Sequence, residues 1–159
     1  MENRLSDSAR RVQDALKGMG LSLQVVELPS STRTAVEAAQ AVGAQVGQIV
    51  KSLVFRGARS GNPVLVLASG SNRVNLETMA AYLGEALEKA DAEFVRQQTG
   101  FAIGGVSPVG LQQRLGTWID EDLLQYIEIW AAAGTPNAVF HLAPDDLLRM
   151  TAGRVVKIT

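Results

Sequence analysis

Ile49-Val50-Lys51-Ser52-Leu53-Val54-Phe55 and, beyond the turn signal Ser60-Gly61-Asn62-Pro63, Val64-Leu65-Val66-Leu67-Ala68-Ser69 form the stretch on which the fold turns. Both runs are rich in β-branched and large aliphatic residues, and both are bounded by turn residues, so they read as a hairpin in the core of a sheet. One residue departs from that pattern. Alternation along the first run places Lys51 on the same face as Ile49, Leu53 and Phe55. An amine in apolar surroundings is costly to charge; it gives up its proton more readily or pairs with an anion, which makes Lys51 a candidate site residue. The alternative is an edge or half-exposed strand whose lysine reaches water along its aliphatic stem.

Upstream of the hairpin, Ser6 can cap a helix with Ala9, Val12, Leu16 and Met19 on one face, ended by Gly18 and Gly20. Residues 23–28 read as a strand that stops at Pro29. Thr34 followed by Glu37 fits a capping box opening a short helix through Val42, closed by Gly43 and Gly47. Downstream, Asn75 caps a helix through Leu83, and Asp91 caps another through Gln98 that Gly100 ends. Residues 117–119 form a short strand, and Asp120 caps a brief helix. Residues 126–132 and 138–142 are strands joined by Gly134-Thr135-Pro136-Asn137, Pro144 opens a last helix, and residues 155–158 return as a terminal strand. Strands and helices are mixed without strict β-α-β alternation. The expected architecture is therefore α+β, a single compact domain over residues 1–159 with helices around a curved mixed sheet.

The chain has 159 residues, 47% of them hydrophobic, which suffices for one ordinary core. Sixteen acidic residues against 15 basic ones leave no large field to draw polyanions from a distance, though a local basic pocket remains compatible. Without cysteine there is no disulfide, thiol nucleophile or thiolate site. With a single histidine, no metal site is expected, and neither is any other cofactor. No apolar run approaches the ~20 residues of a membrane span, and Met1 to Ser8 lack the apolar core of a signal peptide. A cytoplasmic protein with no membrane partner is expected.

Two loops carry further candidates. Gly104-Gly105-Val106-Ser107-Pro108 offers main-chain N–H groups unobstructed by side chains, able to hold an oxyanion or position a water; a turn requiring positive φ is the other reading. Ser69-Gly70-Ser71-Asn72-Arg73 follows a core strand and can cradle a phosphate with Arg73 supplying charge, or serve as a simple turn. His141 alternates with Val139 in a strand and lacks a Gly-x-Ser-x-Gly partner, so it reads as structural. Asp120, Glu121 and Asp122 read as a helix start.

Residues 49–55 with Lys51, residues 64–69, the Gly100 to Pro108 segment with Gly110, Ala133-Gly134 before a strand, and Pro144-Asp145-Asp146-Leu147 together resemble the YbaK/ProX family. That family comprises bacterial Cys-tRNA(Pro) deacylase, its relatives and the editing domain inserted in bacterial prolyl-tRNA synthetases. The resemblance covers nearly the whole chain. It implies an enzyme that hydrolyses, in trans, the ester between a non-cognate amino acid and the acceptor end of tRNA, usually tRNA(Pro), with prolyl-tRNA synthetase as a possible partner. The family's essential lysine falls on Lys51 and its Gly-x-x-x-Pro loop on Gly104 to Pro108, where Gly104 and Gly105 would serve the oxyanion. Ser52, Leu53, Ser69, Arg73, Ile103, Val106, Ser107 and Pro108 are the implied substrate-binding residues. Members specific for alanine tend to have asparagine after the lysine, where this chain has Ser52. Rival readings are a catalytically silent tRNA- or synthetase-binding module of the same fold, and a hydrolase of another small acyl ester.

Overall fold

A computed structural model describes residues 5–159, so the reading of the first four residues lies outside the described part of the chain. The hairpin forms as its sequence predicts: β2 (Ile49–Gly57) pairs antiparallel with β3 (Pro63–Ser69), with Lys51 opposite Ala68 and Ser52 opposite Leu67. Val64 to Ser69 are all buried, because β3 is covered on both faces. Leu65 and Leu67 enter one core cluster while Val64, Val66 and Ala68 enter another, as strand alternation requires.

Around this hairpin lie β1 (Val25–Glu27), β4 (Leu87–Lys89), β5 (Gly116–Asp120), β6 (Ile129–Ala132), β7 (Ala138–Leu142) and β8 (Arg154–Val156). They build one eight-stranded mixed sheet in the order β1-β7-β6-β2-β3-β5-β8, with β4 also paired to β2. The pairs β2 with β6, β3 with β5 and β5 with β8 are parallel, and the others antiparallel. Among the described residues five helices accompany the sheet: α1 (Asp7–Gly18), α2 (Ala35–Val42), α3 (Leu76–Leu83), α4 (Ala92–Thr99) and α5 (Pro144–Thr151). None of the described helices is long and apolar enough to cross a membrane. The mixed α+β architecture follows the expectation.

Local signals placed most helix ends. Ser6 caps α1, Thr34 and Glu37 form a reciprocal capping box on α2, and Asn75 and Asp91 cap α3 and α4. Several boundaries differ; β1, for one, spans only Val25–Glu27 of the expected residues 23–28. Met19 follows α1 and is 46% exposed, so the buried stripe ends at Leu16. Gly43 alone ends α2, while Gly47 is buried in a separate 3₁₀ turn at Val46–Gln48. β6 starts at Ile129 rather than residue 126, since Ile127 is exposed and Tyr126 turns its hydroxyl toward Gly47. The last strand is Arg154–Val156, and Ile158 beyond it is buried without pairing. β4 has no counterpart in the sequence reading; three residues with one buried side chain carry too little periodicity, and pairing with Phe55, Arg56 and Gly57 makes it a strand.

One feature of the sheet positions the site. On the side away from β3, β2 meets β6 at Ile49 and Val50, and meets β4 only from Phe55 onward. Residues 51–54 therefore have a strand partner on one side only, and the sheet is open beside them.

Candidate active site

The opening leads into a cavity of about 1020 Å³, whose wall includes β2 residues 49–55, the segment 32–35, the loop 70–74, Lys89, and Ile103, Gly104 and Val106. Both faces of β2 contribute, which is what an opening through the sheet produces. Among the described residues its charged wall residues are Arg33, Lys51, Arg73 and Lys89, with no carboxylate. A chain of formal net charge −1 thus gathers four cations at one place.

Lys51 is half-buried at the cavity wall, and its Nζ donates to the Asn72 carbonyl at 2.5 Å. Burial lowers its pKa below the ordinary lysine value; the Arg73 charge adds to the lowering, and the Asp120 charge opposes it. The carbonyl that receives it is itself moored. Asn72 Nδ2 donates to Asp120 Oδ2 at 2.9 Å and to Asp122 Oδ2 at 2.7 Å. Asp120 is 1% exposed; it also accepts from Ser69 N–H at 2.9 Å and, as cap of the next 3₁₀ turn, from Asp122 N–H at 2.9 Å. The helix-start reading of Asp120 holds, but its second carboxylate oxygen ties the 69–72 loop to the sheet.

The remaining candidates divide into wall and support. Ser52, Leu53, Arg73, Ile103, Gly104 and Val106 line the cavity together with Lys51. Ser69, Gly105, Ser107 and Pro108 lie behind it, all buried. Ser69 Oγ donates to the Gly47 carbonyl at 2.7 Å, and Ser107 Oγ accepts from Val109 N–H at 3.1 Å, so both hydroxyls hold backbone rather than face a ligand. The Gly105 N–H donates to the Ala102 carbonyl at 3.0 Å and is consumed by a turn. Of the two glycines only Gly104 presents its main chain to the cavity; its φ of 90° is the left-handed conformation glycine tolerates. His141 is exposed, stacked on Trp130 at 5.0 Å and 3.4 Å from Glu128. Among the described residues no group of three metal-ligating side chains occurs.

Gly105 owes its identity to packing. A Cβ there would stand 2.9 Å from the Thr135 N, Cα and C atoms, which belong to backbone that has no side-chain freedom to yield. Gly105→Ala is expected to cost about 1–3 kcal/mol, typical of overpacking, and to lower the melting temperature by about 2–12 °C. Thermal denaturation beside Gly116→Ala, where a Cβ meets nothing within 4 Å, checks this. An equal, small shift for both would show that the contact with Thr135 yields freely.

Nothing in the sequence marks Arg33, Lys89 or Asp120 as site residues, and Asn72 figures there only as part of the 69–73 loop. Arg33 lies across Gly104, its Cγ 2.8 Å from where a Cβ would project, although 71 positions separate the two in the chain. No local pattern announces such a meeting.

The fold and this cationic cavity together define the class. The chain belongs to the aminoacyl-tRNA editing domain family, whose sequence model matches residues 29–150. Within that class it is similar to a protein of Enterococcus faecalis provisionally named Cys-tRNA(Pro)/Cys-tRNA(Cys) deacylase EbsC, at 31% identity over 79% of this chain and 77% of the other. A crystal structure described, again provisionally, as a trans-editing enzyme for prolyl-tRNA synthetase superposes with a TM-score of 0.93 at 55% identity, covering 98% and 99% of the two chains. Proline-tRNA ligase of Thermosipho melanesiensis is 40% identical over 89 residues, 55% of this chain and 15% of the ligase.

Proposed function

We propose that this chain hydrolyses the ester of a mischarged tRNA in trans, with tRNA(Pro) as its substrate, and that it works in the cytoplasm where aminoacyl-tRNAs are made. The observation that carries the reading is the cavity wall, where Arg33, Arg73 and Lys89 accompany Lys51 in the sheet opening and no carboxylate lines it among the described residues. The 3′ end of tRNA brings phosphates and a neutral ester to the same place. Arg33, Arg73 and Lys89 suit the phosphates, while the apolar wall of Leu53, Val54, Val95, Ile103 and Val106 suits a small side chain. A separate hydrolytic site has a physical purpose: one methylene is worth only ~1–3 kcal/mol, so a synthetase cannot reject a smaller amino acid strongly at its own site.

In this mechanism Lys51, held by Asn72, anchors the polar groups beside the ester, and the Gly104 N–H stabilises the developing oxyanion. Among the described residues the wall carries no carboxylate or histidine to act as general base. The attacking water is activated by the free hydroxyl of the terminal ribose, which confines the reaction to tRNA esters. Prolyl-tRNA synthetase is a candidate partner for supplying the charged tRNA.

The test offers purified protein tRNA(Pro) charged in turn with Pro, Ala, Cys, Ser, Thr and 2-aminobutyrate. Loss of non-cognate esters with Pro-tRNA(Pro) spared is the expected outcome. Binding should weaken with salt along a log–log slope no steeper than about −3, since four cations on a single strand release ~0.7 counterions each. Survival of every ester, with and without prolyl-tRNA synthetase, would favour a silent binding module. Turnover of free amino-acid esters at the same rate as tRNA esters would point to a different acyl hydrolase.

A further inference from the structure

The open edge of β2 presents main-chain groups as well as side chains to the cavity. The Ile49 carbonyl accepts from Gly70 N–H at 2.7 Å on the β3 side, so alternation turns the N–H and C=O groups of Lys51, Leu53 and Phe55 the same way. The even-numbered residues face the opposite side. Ala58 confirms that parity, its N–H donating to the Ala86 carbonyl beside β4 at 2.9 Å. Val50 lies against β6 and Arg56 against β4, whereas Ser52 and Val54 sit between them with no strand residue opposite, and of these two Ser52 is the one that also carries a polar side chain. Ser52 Oγ is buried and has no hydrogen-bond partner among the described residues. Ser52 thus lines the cavity with no strand residue opposite its main-chain N–H and C=O, and its buried hydroxyl lacks a partner among the described residues.

Buried polar groups are nearly always paired, and a donor beside an acceptor on an open strand edge is complementary to a ligand that offers both. The α-ammonium and ester carbonyl of an aminoacyl group are such a pair. They are separated by one carbon, the spacing at which a single residue of a neighbouring strand would present its own groups.

Resting on the deacylase reading and deepening it, we propose that Ser52 grips the aminoacyl group as a missing rung of the sheet between β6 and β4. Its carbonyl accepts from the α-ammonium, its N–H donates to the ester carbonyl oxygen, and its hydroxyl pairs with the same amino-acid unit. The grip reads the invariant part of the amino acid through backbone. The apolar wall is then left to read the side chain. Lys51, whose side chain leaves the other face of the strand, remains free to anchor the polar groups beside the ester. An N-acylated amino acid loses the donor count and adds bulk at the gap, so the site rejects it.

Amide NMR of the full chain tests this with a non-hydrolysable probe, 3′-alanylamino-3′-deoxyadenosine, beside its N-acetylated form. In the free protein the Ser52 amide should exchange with solvent deuterons at least tenfold faster than those of Lys51 and Leu53, which face β3. The probe should shift the Ser52 amide downfield and slow its exchange at least tenfold, leaving Gly116 unchanged. The N-acetylated form should bind at least tenfold more weakly. In Ser52→Ala the amide at position 52 should still shift, with weaker binding, because the main-chain grip survives loss of the hydroxyl. A protein that deacylates mischarged tRNA but whose residue 52 amide is unmoved by the probe overturns the rung and leaves the deacylase reading standing. Absence of both deacylation and any cavity shift overturns the two together.

Discussion

On the proposed mechanism Lys51→Met is expected to lower deacylation by about 10²–10³-fold, the usual consequence of deleting a group that acts on the charge of the reacting centre, and to leave the fold intact. Methionine keeps the aliphatic stem that lines the opening of the sheet and removes only the ammonium. The effect on stability follows from the direction of the pKa shift. In the folded chain Lys51 titrates below its ordinary value, chiefly because burial disfavours the charge. Between the folded and unfolded values the unfolded chain binds more protons, so stability rises with pH through that window. Below that window the charged amine is a cost to the fold, and the variant should melt at the same temperature or higher. Activity runs the opposite way with pH. If cationic Lys51 is the working form, deacylation, corrected for spontaneous ester hydrolysis, declines as pH rises through a value below the ordinary lysine range. Arg73→Met moves that decline to higher pH by removing a neighbouring positive charge. Single-turnover rates of wild type and both variants across the pH range decide the matter; a well-folded Lys51→Met protein with full activity would remove the lysine from the mechanism.

Asp120→Ala is the second large expected effect, and it falls on both stability and rate. The carboxylate is 1% exposed and accepts from Ser69 N–H, Asn72 Nδ2 and Asp122 N–H. Alanine leaves the buried Ser69 N–H without an acceptor and opens a small void; each orphaned donor costs about 1–3 kcal/mol. A total loss of about 2–4 kcal/mol by chemical denaturation is expected, on the scale of a broken buried polar network. Asn72 keeps its bond to Asp122 but loses the one to the buried Asp120, so its carbonyl holds Lys51 less firmly and kcat is expected to fall even in the folded fraction. Asp120 also holds the Lys51 pKa up, so its removal shifts the alkaline decline of activity to lower pH. That shift separates positioning of the lysine from general loosening, which would scale the rate without moving the profile. A rate and profile unchanged at matched folded fraction would reduce Asp120 to a structural cap.

The hairpin and most helix ends were legible because each rests on interactions within a few residues. Thr34 and Glu37 close a capping box over three positions, Asn75 and Asp91 cap their own first turns, and the β-branched runs of β2 and β3 pair across one turn. Lys51 was legible as a departure from such a run. β4 and the first residue of β6 were not, since a three-residue strand and the path of Tyr126 depend on partners elsewhere. The site divided similarly. Lys51, Ser52, Leu53, Arg73, Ile103, Gly104 and Val106 came together on one wall, while Ser69, Gly105, Ser107 and Pro108 turned out to hold that wall from behind.

By itself, then, the sequence determined the paired strands, the helix caps, the glycine-rich loop and the family to which the chain belongs, because local hydrogen bonding, alternation and residue order along the chain carry that information. Tertiary structure alone decided that the sheet is open beside residues 51–54, that Arg33 lies across Gly104, and that a buried Asp120 moors Asn72 and through it Lys51. Those facts depend on which strands stop short of one another and on which residues distant in the chain meet, and no pattern confined to neighbours along the chain encodes either.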